Sequence, residues 1–351
     1  MNNGTRRLAS PRRRVVAIPA LITALSLILV ACGDGADEEA SVEDFYADNT
    51  LTVLIGFGEG GGYDLYGRLI ADHWGDHIPG NPDVVVENQE GARGVVAMNR
   101  AYQGGPFDGS LVVMPHRVAY QFQLTGDDGV EYDLNEVSPI GSPLTDAEVC
   151  VVHERTGVTS FDQMFTEEVV VGATAPGEET LLNEVLGTQM QIVSGYGSGD
   201  DINLAIEQGE VDGRCQWSIS SILSYDQDYV AQLNMLAQLA IEPHPQVPDD
   251  IPLIMEYAED DETVELFELV FGAGLLGRPV YAPPDVPEER VQALRDSFMA
   301  MLEDPDFLAD AESRNLEILP ISGSELQDLQ ERFFSASDAA IERMTEALSQ
   351  E

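Results

Sequence analysis

The chain has 351 residues, 17 Lys+Arg against 63 Asp+Glu, a formal net charge of −46, and 44% hydrophobic residues. A surface this acidic cannot neutralise a phosphate backbone, which excludes nucleic acid as a partner, and the ordinary apolar content excludes a disordered chain. Every basic residue is arginine, and an acidic, lysine-free surface is expected of a saline habitat, where salt screens the self-repulsion of the acids.

Arg6, Arg7, Arg12, Arg13 and Arg14 precede an apolar run from Val15 to Ala31. That order, basic then apolar, is that of an export signal, and about 17 apolar residues sit at the bottom of the range that spans a bilayer. Arg12-Arg13 follows Pro11, so Sec and twin-arginine export both stay open. The run closes on Leu29-Val30-Ala31-Cys32-Gly33, which resembles a bacterial lipobox and implies cleavage and lipidation at Cys32. Residues 1–32 are therefore set aside from the fold. Residues 33–48, acids and small residues from Asp34 to Asp48, read as a solvated tether. Beyond residue 32, 12 arginines face all 63 acids, a formal charge of −51.

The stretch Leu51 to Trp74 is the most informative. Leu51 to Ile55 read as a buried strand, and Gly56, Gly58, Gly60, Gly61 and Gly62 follow as a turn. After Asp64, the residues Leu65, Leu69, Ile70 and Trp74 fall at helical spacing. Glycines let the backbone approach a ligand closely, and free N–H groups at the helix start attract an anion. Gly56, Gly58 and Gly61 also satisfy the dinucleotide fingerprint, and Glu87 ends the next strand where a ribose-binding acid belongs. An exported Rossmann-type oxidoreductase is thus one reading, although export removes it from the cytoplasmic cofactor pool.

Strands and helices alternate along the rest of the chain, which predicts an α/β architecture with mostly parallel sheets. Val84 to Val86, Leu111 to Met114, Ile140 to Val152, Val169 to Val171, Gln191 to Ser194 and Leu233 to Leu239 read as extended. Phe267 to Leu276 reads as an apolar, glycine-containing strand. Ser324 with Gln327 suggests a capping box for a last helix, Glu325 to Leu348. About 320 mature residues exceed one comfortable core, so two domains are expected. Cys150 and Cys215 lie in apolar runs; they either pair in an oxidising compartment or stay separate buried thiols. His73 and His77 are four apart on the first helix, read as solvent-facing, with nothing nearby to complete a metal site. The acids at Asp127, Asp128, Glu131 and Asp133 lack calcium-loop spacing. No catalytic constellation emerges, so neither an enzyme nor a cofactor is expected.

Taken in order, the turns resemble the receptor (Bug) family of tripartite tricarboxylate transporters. The family's PFxxGGxxD is met by Gly56-Phe57-Gly58-Glu59-Gly60-Gly61-Gly62-Tyr63-Asp64, and its VENxxGAxG by Val86-Glu87-Asn88-Gln89-Glu90-Gly91-Ala92-Arg93-Gly94. DGxxLL corresponds to Asp108 through Val113, PYxG to Gly195-Tyr196-Gly197-Ser198, GxVD to Gly209-Glu210-Val211-Asp212, and APxxxP to Ala282 through Pro287. Arg93 stands where glycine is usual, Gly195 where proline is usual, His116 at a usually small position and Arg214 in a usually apolar strand. The resemblance implies a periplasmic-binding-protein clamshell: residues 49–141 with 270–351 as one α/β lobe, 142–269 as the other, joined by crossover strands.

It also implies an organic carboxylate held in the cleft largely by backbone N–H groups, a membrane transporter as partner, and a lipid anchor in the membrane. Ligand-binding candidates in the first lobe are Phe57, Gly60, Gly61, Gly62, Asp64, Asn88, Gly91, Arg93, Gly94 and His116. In the second they are Thr174, Gly177, Tyr196, Ser198 and Arg214. Arg93 either grips the carboxylate or pairs with one of the many acids; Asp64 either meets ligand or caps its helix. Sensing without transport is compatible with the same clamshell.

Overall fold

A computed structural model describes residues 41–174 and 177–348; the export signal, Cys32 and the tether up to residue 40 lie outside the described residues. The chain begins α1 (Val42–Asp48), β1 (Leu51–Ile55), α2 (Gly62–Trp74), β2 (Val84–Asn88), α3 (Val95–Gly104), β3 (Leu111–Met114), α4 (Ala119–Thr125) and β4 (Ser138–Ser142). It continues with β5 (Glu148–His153), β6 (Val169–Ala173), α5 (Gly177–Leu186), β7 (Met190–Ser194), α6 (Gly199–Gln208), β8 (Gly213–Ser218), α7 (Ile219–Ser224), α8 (Gln227–Val230) and β9 (Leu233–Leu239). It closes with α9 (Asp261–Phe271), α10 (Ala273–Leu276), β10 (Val280–Ala282), α11 (Glu288–Leu302), α12 (Pro305–Ser313), β11 (Ile321–Ser322), α13 (Gly323–Phe334) and α14 (Asp338–Leu348). Among the described residues, no helix is long and apolar enough to cross a membrane.

The strands form two sheets, ordered β11-β4-β10-β3-β1-β2 and β7-β6-β8-β5-β9. The α/β clamshell expected from the sequence is therefore present, as two sheets flanked by helices. The chain leaves the first sheet after β4 and returns to it at β10.

The sheets are not mostly parallel. Among the described strands, β1 pairs in parallel with β2 and β3, and β6 with β7 and β8, whereas β10–β3, β10–β4, β11–β4, β5–β8 and β5–β9 are antiparallel. Parallel pairing occurs where a helix carries the chain back across the sheet, as α2 and α5 do. Strands next to the passage between sheets have no such crossover and run antiparallel. What read as one extended segment, Ile140 to Val152, is β4 in one sheet and β5 in the other.

Apart from the half-buried Thr52, β1 is apolar, because both its faces are buried. Val53 and Ile55 meet Leu69, Ile70 and Trp74 of α2, while Leu54 faces the opposite cluster with Val113 and Met98. Leu69, Ile70 and Trp74 have no exposed surface, and burying side chains of this size is worth about 1.5–3 kcal/mol apiece. In the second sheet, Val149 and Val151 face Ile202, Ile206 and Trp217, and Val152 and Val171 face Leu181 and Leu182. Cys150 and Cys215, on neighbouring strands β5 and β8, form a disulfide. The alternative of two separate thiols is thereby closed.

Four further expectations are corrected. The tether does not extend through residue 48: Ser41 caps α1, Phe45 and Tyr46 are buried, and Tyr46 donates to the Gly109 carbonyl at 3.0 Å. Phe267 to Leu276 is helical. A continuous apolar run does not distinguish a buried strand from a buried helix, and the deciding signal lies upstream, where Asp260 accepts the Thr263 N–H at 2.8 Å. The last helix is two, α13 and α14, and its capping box is Ser322 with Glu325. His73 and His77 do not face solvent; they lie 3.0 Å from Asp310 and 3.6 Å from Asp304, half-buried against α12 and its N-cap.

Candidate functional site

Three loops of the first sheet meet backbone to backbone beyond the C-terminal ends of β1, β2 and β3. A Cβ on Gly56 would lie 2.6 Å from Gly94 Cα, and one on Gly94 would lie 3.0 Å from the His116 N–H nitrogen. Gly94 also has φ +88°, and Gly91 φ +143°, so these two glycines serve conformation as well as close approach. Arg93 itself adopts left-handed geometry (φ 50°, ψ 40°), and its guanidinium lies over the Phe122 ring, 4.7 Å from the centroid.

The first turn is braced from within. Asp64 is buried and accepts from the Gly60 N–H at 2.8 Å, Arg68 Nε at 2.9 Å and Asn88 Nδ2 at 2.9 Å. Burial alone would raise its pKa, but the hydrogen bonds from Arg68, Gly60 and Asn88 outweigh burial and hold it below the usual carboxylate range. Asp64 and Asn88 thus fix the shape of the turn, with Asn88 also donating to the Phe57 carbonyl at 3.0 Å. α2 starts behind Gly61 without a side-chain cap. Phe57 stacks on Tyr63 at 4.3 Å, His116 lies 5.7 Å from Phe57, and Arg278 covers Tyr63 at 4.5 Å.

Between the sheets lies a cavity of about 450 Å³. Arg93, His116, Thr174 and Gly177 of the expected residues line it, and so do Arg117, Gln121, Glu148, Glu178 and Gln216, which sequence reasoning missed. Phe57, Gly60, Gly61, Gly62, Asp64, Asn88, Gly91 and Gly94 build the turns behind the wall without forming it. Tyr196 packs back on Gly172, Ser198 caps α6 through the Asp201 N–H at 3.2 Å, and Arg214 binds the Gly199 carbonyl at 3.0 Å and Asn203 at 3.2 Å. These three are framework of the second lobe. Arg278 lies over the Tyr63 and Tyr66 rings, 4.5 and 5.7 Å from their centroids.

Arg117, between β3 and α4, pairs with Glu148 at the start of β5 and lies 3.9 Å from the fully buried Asp146. Burial opposes its charge, but Glu148 and Asp146 outweigh burial and raise its pKa further above the ordinary arginine value. For His116, burial and the charges of Arg117, Arg278 and Arg93 push the pKa well below the ordinary value. Its imidazole is neutral; Nδ1 accepts the Val118 N–H at 3.2 Å, which leaves Nε2 as the donor.

On the opposite wall, burial first, then Glu148 and Glu179, push Glu178 well above the carboxylate range. Glu179, without exposed surface, is pushed up to about 7, mainly by burial; its Oε2 accepts from Gln216 Nε2 at 2.8 Å. Gln216 reaches it from a β8 residue with φ +57°. The sequence signal for these acids was only a Gly-Glu-Glu helix start after β6; the Arg117–Glu148 pair, 31 residues apart, had none.

The outer face of β2 weakens the dinucleotide reading. Glu87 is held bidentately by Arg100, at 2.5 and 2.9 Å, rather than standing free beside the glycine turn.

Solved structures place this architecture in the two-lobe periplasmic solute-binding fold. A TctC solute-binding protein from Polaromonas, without ligand, aligns over 87% of this chain and 100% of its own with a TM-score of 0.67 and 14% identity. MatC from Rhodopseudomonas palustris with bound malate aligns over 84% of this chain and 99% of its own (TM-score 0.55, 19% identity). A second R. palustris protein, with adipate, aligns over 86% and 97% (TM-score 0.55, 18% identity). No protein-family model matches the sequence. No curated protein matches it either.

Proposed function

We propose that this chain is an exported receptor that captures a small organic carboxylate between its lobes and delivers it to a membrane transporter of the tripartite tricarboxylate type. The observation that carries the reading is the cavity, which the Arg93 and Arg117 guanidinium groups and the neutral His116 reach from the first lobe. Guanidinium groups at such a site bind carboxylate through charge-assisted hydrogen bonds. The fold shared with malate- and adipate-bound proteins supports the same ligand chemistry.

Residues 49–141 with 270–351, and residues 142–269, act as the two closing bodies. Cys32 carries the lipid that keeps the receptor at the outer face of the membrane. The acidic surface suits a salt-rich exterior.

Thermal melting of the purified protein in high salt, with malate, adipate and other acids, tests the binding function. Ligand at a hundredfold over its dissociation constant stabilises by about 2.7 kcal/mol. Melting that no organic acid moves would sink the reading. The anchor is tested separately by fractionating cells that express Cys32→Ser, which should move the protein out of the membrane fraction.

A further inference from the structure

β8 carries one residue more than its neighbour β5 requires. The pairing sets Val149 against Trp217 and Val151 against Arg214, so Cys215 and Gln216 together stand opposite the single Cys150. Cys215 packs on the α5 side of the sheet and Trp217 on the α6 side, although they are two apart. An unbroken strand would put both on one side. The inserted residue is Gln216, which holds φ +57° without being glycine. A bulge of this kind re-aims a side chain, and left-handed backbone at a residue other than glycine persists only where its surroundings impose it.

The surroundings do so at three points. Cys215, the preceding residue, is locked to Cys150 by the disulfide. Arg214 Nη2 donates to the Gln216 carbonyl at 3.1 Å, and Gln216 Nε2 donates to Glu179 Oε2 at 2.8 Å. The side chain is half-buried and lines the cavity, whereas neither cysteine does. Its Oε1 has no hydrogen-bond partner among the described residues and, unlike Glu178 Oε2, is not closed off from solvent. The amide thus keeps an acceptor and a second N–H beyond the one Glu179 uses. We infer that Gln216 is a ligand-contacting residue of the second lobe and that the Cys150–Cys215 link, outside the cavity, is what positions it. This assignment rests on the carboxylate-receptor reading above and adds to it a contact and the pair that aims it.

Isothermal titration calorimetry with malate and adipate in high salt tests this on the wild type, Gln216→Ala, the Cys150→Ser and Cys215→Ser pair, and all three substitutions together. Gln216→Ala should weaken the better-bound acid about tenfold, the loss of one hydrogen bond to a charged group. The cysteine pair should weaken it several-fold by itself and add nothing once Gln216 is alanine, since a link that acts through Gln216 has no other route to the ligand. A link that only stabilises the lobe would instead lower the melting temperature in both backgrounds and affect affinity equally in both. Should the serine pair fail to fold, Cys150→Ala with Cys215→Val, which refills the apolar space, takes its place in the cycle. Unchanged affinity in Gln216→Ala, or equal losses from the cysteine pair in both backgrounds, would overturn the inference and leave the carboxylate receptor standing. A wild type that binds neither acid would overturn both.

Discussion

The two helix starts that follow the central parallel strands, β1 and β6, are built from opposite materials. Before α2, the chain uses glycines, an uncapped helix end and an internal brace of Asp64, Asn88 and Arg68. Before and within α5, the chain uses Gly177, Glu178 and Glu179, and the cations that act on these acids are Arg117, from the other sheet, and Arg214 of β8. The acid of the first half, Asp64, is fully hydrogen-bonded. In the second, Gln216 donates to one oxygen of Glu179, while the other and Glu178 Oε2 find no donor among the described residues. The difference teaches that a shared βαβ frame does not fix the polarity of the site it carries; the residues at each helix start do.

The largest expected effect lies in the second half. Replacing Cys150 and Cys215 by serine opens a link between residues 65 apart, and the loop-entropy model gives a loss of about 4 kcal/mol. Denaturant unfolding should show it, with the first lobe's turns unchanged in hydrogen exchange; a loss under about 1 kcal/mol would mean that the sheet holds β5 and β8 in place without the link.

Next is the bridge between the halves. Arg117→Ala leaves the Glu148 and Asp146 charges uncompensated and should cost about 3 kcal/mol. Adding Glu148→Gln should recover part of it. Additive losses in that double-mutant cycle would show that the two side chains do not act as a pair.

The two halves should also titrate in opposite directions. Glu179, raised from 4.5 to about 7, binds more protons folded than unfolded between those pH values, so it lowers stability as pH rises through that window, by roughly 2–3 kcal/mol. Glu179→Gln should abolish the decline. Asp64 has a lowered folded pKa, so its contribution is present above the ordinary aspartate range and is lost only as pH falls below it. Chemical melts from pH 2 to 8 would separate the two; a curve that Glu179→Gln leaves unchanged would contradict the assignment.

A smaller change probes the junction of the loops. Gly94→Ala places a Cβ 3.0 Å from the His116 nitrogen at φ +88°, and left-handed strain of this kind costs about 2 kcal/mol. The Arg100→Ala variant, which frees the exposed Glu87, should cost less than about 1 kcal/mol and leave carboxylate binding untouched.

The sequence alone determined the local grammar. Leu51 to Trp74 had to be strand, glycine turn and helix, because a doubly buried strand is continuously apolar and only glycine allows the turns to close on one another. The α/β class followed from the same alternation, and of the candidates that the family resemblance implied, Arg93, His116, Thr174 and Gly177 line the cavity between the sheets. Tertiary structure decided what periodicity cannot encode. The run Phe267 to Leu276 became helix because Asp260 caps it and because both sides of it are buried. Strand direction depended on where the chain passes between sheets. Above all, the acid wall of Glu148, Glu178 and Glu179 was hidden among 63 acids, since a carboxylate that is buried and one that is solvated have the same letter. Their chemistry differs only because folding removes water from some of them and brings Arg117, distant in the chain, to face them.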